Sequence, residues 1–171
     1  LKKHNVRICV ENLYESVGGR ITEGTCADPD DAIFYVDMLN MMAGEERFGI
    51  CLDTGHIQLV HRQPADYIRK AGSRLKLLHM HENDAYGDLH QMPYTFGSSK
   101  ECGTDWDSLA SALADIGFDG TLSFETFPCM NSFPYGTRDE VLRTIHEVGV
   151  YIKGKIDVLS EQFVQNSVKN K

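Results

Sequence analysis

The sequence predicts a parallel α/β fold built from four β-then-α units, and three observations carry that prediction. Short β-prone runs alternate strictly with stretches of helical periodicity, a pattern that calls for right-handed crossovers and a parallel sheet. Four of these runs also stop on an ionisable side chain: Val6 to Glu11, Ile50 to Asp53, Leu75 to His81 and Gly120 to Glu125. An apolar run that ends this way marks the carboxyl end of a buried parallel strand, where the chain leaves the core for a cleft. The third observation is length. A complete (β/α)8 barrel needs about 250 residues, so 171 residues hold about half of one. Two architectures fit, an open four-stranded α/β domain or the second half of a TIM barrel.

The first strand, Val6 to Glu11, leads into a polar stretch from Asn12 to Ala27, read as a long loop of the kind that carries sites. Asp28-Pro29-Asp30-Asp31 then opens a helix, with Asp28 as N-cap, proline in the first turn and acids at the positive end of the dipole. Ala32, Tyr35, Val36, Leu39 and Met42 follow at helical spacing, and Gly44 supplies the stop. Phe48 to Asp53 is the second strand. Pro64 starts the next helix, whose short apolar face is Tyr67, Ile68 and Ala71 before Gly72 ends it. Leu75 to Met80 is the third strand. From His81 to Thr104 the sequence has glycines, aromatics and no period, which predicts a long loop over the strand ends and the lid or substrate-contact region.

Asp105 caps a helix with the face Trp106, Leu109, Ala110, Leu113 and Ile116, and Gly117 to Gly120 returns the chain to the fourth strand. Thr137 and Glu140 have the spacing of a capping box for a helix carrying Val141, Leu142, Ile145 and Val148. Tyr151 to about Val164 reads as a separate terminal helix before a polar tail. The expected organisation is one domain over residues 1–171, with its core at about 5–152 and the terminal helix and tail at 153–171.

Composition narrows the function. A formal charge of -8 repels polyanions, so nucleic acid is not the expected partner. The five cysteines, Cys9, Cys26, Cys51, Cys102 and Cys129, are scattered without a CxxC pair, which fits reduced thiols and a cytoplasmic location. No apolar stretch approaches roughly 18 residues, so no membrane span is expected. A start at Leu1 that enters a strand within a few residues points to a segment of a longer protein.

A carboxylate after one strand is ordinarily just solvated. Four consecutive strands ending in Glu11, Asp53, His81 and Glu125 are different, because carboxylates converging in a half-buried cleft repel and lose hydration. A divalent metal removes that cost. Three carboxylates and one imidazole form an oxygen-rich set suited to Mn²⁺, Mg²⁺ or Co²⁺, with Zn²⁺ also compatible. Such a cation polarises a carbonyl and its neighbouring hydroxyl, and carboxylates on opposite sides of a substrate allow deprotonation and reprotonation through an enediolate. His79 reads as a core or helix-facing histidine.

Taken together and in order, Glu11-Asn12-Leu13, Leu52-Asp53-Thr54-Gly55-His56, His79-Met80-His81-Glu82-Asn83-Asp84, Gly87-Asp88-Leu89-His90 and Gly117 to Glu125 resemble the second half of the xylose isomerase-like TIM barrel superfamily, the sugar phosphate isomerase/epimerase group. The resemblance runs from about residue 5 to about residue 152. It implies a sugar isomerase or epimerase in which Glu11, Asp53, His81 and Glu125 hold the metal and Glu11 and Glu125 move the proton. It also implies that His56 contacts substrate hydroxyls; Asp88 and His90 read as loop-stabilising or substrate-contact residues rather than metal ligands. The same superfamily contains zinc-dependent type IV apurinic endonucleases, whose ligand pairs Asp53 with His56 and Asp88 with His90 resemble; the acidic charge argues against that branch. A non-catalytic or truncated barrel is the third reading. The remaining strands would come from an N-terminal half-barrel or from a second copy of the chain.

Overall fold

The structure, a computed structural model, describes residues 4, 6–97 and 103–169. Its centre is a parallel sheet of four strands in the order β1 (Ile8–Glu11), β4 (Phe48–Asp53), β5 (Leu75–Met80) and β6 (Thr121–Phe124). Each sequence-predicted strand is present. The helices α1 (Pro29–Ala43), α3 (Pro64–Ala71), α4 (Trp106–Asp115) and α6 (Arg138–Lys169) also fall where the periodicity places them. Asp28 caps α1 by accepting from the Asp30 backbone N–H, and Gly44 ends it in the left-handed conformation at φ 68°, a geometry that glycine adopts without strain.

One face of the sheet is packed by the helices. Ile50, Leu52, Leu78 and Met80 are fully buried there against Val36, Ile68, Leu109, Leu113 and Ile152. Burying each such side chain stabilises the fold by about 1.5–3 kcal/mol. The opposite face carries Glu11, Cys51, Asp53, His79 and Glu125, the side that lines the interior in a closed barrel. β1 and β6 each have one neighbour in the sheet.

Four features differ from the sequence reading. The stretch after β1 is an antiparallel hairpin, β2 (Tyr14–Val17) with β3 (Arg20–Glu23). Gly18 and Gly19 form its two-residue turn at φ 59° and 77°, the positive-φ pair that a hairpin turn needs. A short helix, α2 (Thr54–Leu59), starts directly after β4, and another, α5 (Phe127–Asn131), follows β6. The segment after Thr137 is one helix of 32 residues rather than two, so no break separates a core ending near 152 from a terminal helix. Gly149 lies within this helix against the Phe124 ring, where a Cβ would be 3.0 Å away. The Thr137 hydroxyl donates to the Pro134 carbonyl instead of entering the expected capping box.

Among the described residues no helix is long and apolar enough to cross a membrane. The described cysteines, Cys9, Cys26, Cys51 and Cys129, are free thiols, while Cys102 lies outside the described residues. Tyr35 and Met42, expected on the buried face of α1, are exposed, while Ala32 and Val36 are buried in the core and the Asn40 amide bonds the Phe48 backbone of β4.

Candidate functional site

The strand ends bring the sequence-predicted residues to one edge of the sheet. Glu11 closes β1, Asp53 closes β4, and His81 and Glu125 follow β5 and β6 directly. Asp53 is wholly buried, and its Oδ1 caps α2 by accepting from the His56 backbone N–H at 2.7 Å. That cap turns His56 back over the strand ends. Asn12, also wholly buried, continues the pairing of β1 with β4 past its last rung. Its amide donates to the Asp53 carbonyl at 3.1 Å and accepts from the Asp53 N–H at 2.7 Å.

His81 is buried with Nε2 at 2.9 and 3.0 Å from the two Asp53 carboxylate oxygens. Gly55 packs so tightly on its ring that a Cβ there would lie 2.1 Å from His81 Cε1. The His90 ring stacks on it at 3.9 Å. His90 adopts φ 47°, held there by the Asn83 side chain, which accepts from the Leu89 and His90 backbone N–H groups. His90 Nδ1–H donates to the Glu125 carbonyl at 2.7 Å, and its Nε2 lies 3.2 Å from Asp88. Tyr14, from the hairpin, donates to Asp88 at 3.3 Å.

His79 is the residue that the sequence reading misplaced. A bulge in the β4–β5 pairing takes the register from Ile50 with Leu75 to Cys51 with Leu77. The extra residue flips the parity of β5. Leu75, Leu78 and Met80 therefore face the helices, while His79 faces the site. Its Nδ1 lies 3.5 Å from Glu11 Oε1 and 3.2 Å from Glu125 Oε1, without hydrogen-bonding geometry to either.

Among the described residues, four sets have ligand atoms all within 4.8 Å of one another: Asp53, His79 and Glu125; Glu11, Asp53 and His56; Glu11, Cys51 and His79; and His56, His81, Asp88 and His90. The expected quartet of Glu11, Asp53, His81 and Glu125 is thus spread over adjoining sets, with His79 and His56 linking its carboxylates. The donor chemistry fits a divalent cation. Carboxylates and imidazoles converge there, and the buried Nδ1 atoms of His79 and His81 have no hydrogen-bond partner, a state that costs free energy unless something else engages them.

Electrostatics follows from the same crowding. Burial pulls the pKa of His56 down, but Asp88, Asp53 and the Asn12 carbonyl outweigh it and raise the value to about 9. Burial pushes Asp88 up, yet the His56, His90 and His81 rings hold it well below the usual carboxylate range. A histidine whose folded pKa exceeds its unfolded value of about 6.5 stabilises the fold fully below that value. The contribution is lost as pH rises through the folded value. Urea unfolding of the metal-free protein is therefore expected to show stability falling between pH 6.5 and 9, and His56→Gln is expected to flatten that slope.

Residues 1–148 match the family described as xylose isomerase-like TIM barrel. The chain belongs to that family. A D-psicose 3-epimerase of Enterocloster bolteae is 33% identical over 98 residues, 57% of this chain and 28% of its own length. A protein of Sinorhizobium fredii called uncharacterized protein y4fM is 26% identical over 124 residues, 72% of this chain and 34% of its own. Among solved structures, D-psicose 3-epimerase of Clostridium cellulolyticum H10 with D-tagatose superposes with TM-score 0.61 at 18% identity. That match covers 88% of this chain and 50% of the other. The chain thus spans about a third of the curated relatives that it matches and half of that solved chain, and the four-stranded sheet is a partial (β/α)8 barrel.

The sequence reading missed two further residues that shape the site. Glu82 is wholly buried and accepts from the Phe96 and Thr104 backbone N–H groups and from Trp106 Nε1. It ties the long loop after β5 to α4. Asn83 fixes the return of that loop, and both lie in a motif already singled out, though nothing in the sequence told which of its polar groups point inward.

Proposed function

We propose that this chain carries the catalytic strand ends of a divalent-metal-dependent sugar isomerase or epimerase, acting by proton transfer through an enediolate. The observation that carries this reading is the convergence of Glu11 and Glu125, from opposite edges of the sheet, on one imidazole at 3.5 and 3.2 Å. Two carboxylates that approach from opposite sides are placed to remove a proton from one face of a carbon and return one to the other. Glu11, Asp53, His81 and Glu125 would hold the metal, which supplies Lewis acidity toward a carbonyl and its neighbouring hydroxyl when bound; Mn²⁺, Mg²⁺ and Co²⁺ suit the oxygen donors, and Zn²⁺ is compatible.

His56, held by the Asn12 carbonyl at Nδ1, turns Nε2 toward Asp88 at 3.8 Å, and the two would meet a substrate hydroxyl together. Asp88 and His90 border the same space from the loop after β5. Asn12, Gly55 and Thr54 do not touch substrate in this scheme but hold the side chains that do; the Thr54 hydroxyl lies 2.9 Å from the His81 carbonyl. The D-psicose 3-epimerase relatives favour a ketose substrate. The other strands of the barrel would be contributed by an N-terminal half or by a second copy of the chain.

The test is incubation of the Mn²⁺-loaded protein with ketohexoses in D₂O, followed by mass spectrometry. The expected result is uptake of one deuterium beside the carbonyl, abolished by Glu125→Gln. Folded, metal-loaded protein that exchanges no proton with any ketose or aldose overturns the reading. The set His56, His81, Asp88 and His90 supports a second reading, a zinc-dependent phosphodiesterase akin to the type IV apurinic endonucleases, which requires a cluster of about three zinc ions.

A further inference from the structure

We infer that the floor of the site holds a second, softer metal position formed by Cys51 Sγ, a His79 ring nitrogen and a Glu11 carboxylate oxygen, selective for Zn²⁺ or Cd²⁺. The three ligand atoms lie within 4.8 Å of one another. They belong to neighbouring positions on one face: Glu11 pairs directly with Cys51 in the β1–β4 register, and the bulge in β5 turns His79 toward both.

The chemistry of the trio is specific. Cys51 is 2% exposed, so its soft sulfur is enclosed on the face that it shares with Glu11 and His79. The buried His79 Nδ1 makes no hydrogen bond and lies 3.5 Å from Glu11 Oε1, with Glu125 Oε1 at 3.2 Å. With the thiolate and Glu11 each carrying one negative charge and the imidazole neutral, a divalent ion leaves the position electrically balanced. One sulfur, one nitrogen and one oxygen with a fourth place open is a tetrahedral set that zinc accepts.

Thiolate softness separates this position from the oxygen-rich ligands at the strand ends, which favour Mn²⁺ or Mg²⁺. Glu11 is common to both. A zinc ion on the floor therefore withdraws Glu11 from the pair Glu11 and Glu125, which makes the position inhibitory toward the activity proposed above. The binding itself stands independently of that activity.

Titration of the full chain with Co²⁺, a spectroscopic stand-in for Zn²⁺, tests the assignment. The expected result is a sulfur-to-cobalt charge-transfer band in the near ultraviolet that Zn²⁺ bleaches. It is expected to vanish in Cys51→Ser and Cys51→Ala, weaken at least tenfold in apparent affinity in His79→Ala, and persist in Cys9→Ser, Asp53→Asn and Glu125→Gln. The last two variants separate the floor from the strand-end ligands, so failure of the epimerase reading leaves this result unaffected. Absence of the band at saturating Co²⁺, or its survival in Cys51→Ser, overturns the inference. X-ray absorption of the Zn²⁺-loaded wild type gives a readout without substitution: one sulfur neighbour is expected, and a shell of only nitrogen and oxygen contradicts the position.

Discussion

Glu82→Ala is expected to destabilise the protein by about 3–5 kcal/mol, measured as the shift in the urea-unfolding midpoint at constant slope. The carboxylate is wholly buried and satisfies three donors at once, Phe96 N–H, Thr104 N–H and Trp106 Nε1–H. Removal leaves those donors dry and unpaired, at about 1–3 kcal/mol each before relaxation. Glu82→Gln keeps an oxygen for the two donors that share Oε1 and loses the third, so its effect is expected to be less than half as large. Equal stability of Glu82→Ala and wild type would mean that the loop after β5 is anchored by other contacts.

Gly55→Ala is expected to lower Mn²⁺ affinity by about ten- to a hundredfold by isothermal titration, the range found when groups that orient metal ligands are disturbed. The added methyl would lie 2.1 Å from His81 Cε1 and 2.6 Å from Asn83 Nδ2. The ring is already held, with His90 stacked on it at 3.9 Å and an Asp53 oxygen 2.9 Å from Nε2. Overpacking of this kind also costs about 1–3 kcal/mol of stability. Affinity equal to wild type in the folded variant would place His81 outside the metal shell.

The parts of this fold that follow from short-range chemistry were legible in the sequence. Asp28-Pro29 and Gly44 bracket α1, Pro64 and Gly72 bracket α3, and each strand stops at the polar group that leaves the core. Glu11, Asp53, His81 and Glu125 could be picked out for that reason, as groups at or just past the ends of strands.

What failed depended on longer-range geometry. The side of the sheet that His79 faces is set by a bulge, which exists only because β5 pairs with β4 in a shifted register; alternation counted from Leu75 gives the wrong face. Glu82 reads as one acid among several because its partners lie up to 24 residues away. The separation of α6 into two helices rested on the apolar residues from Tyr151 onward, whose packing against the core, as with Ile152 and Ile156, shows only in the fold. The hairpin after β1 is a different case, since Gly18-Gly19 was a readable turn signal that the polarity of the surrounding stretch obscured.

Metal content after equilibration with Mn²⁺ and gel filtration, by elemental analysis of the folded peak, bears most directly on the central claim that Glu11, Asp53, His81 and Glu125 form a divalent-cation site. One Mn²⁺ per chain, abolished by Asp53→Asn and by Glu125→Gln, is the expected result. Folded protein that retains no Mn²⁺, Mg²⁺, Co²⁺ or Zn²⁺ would contradict it.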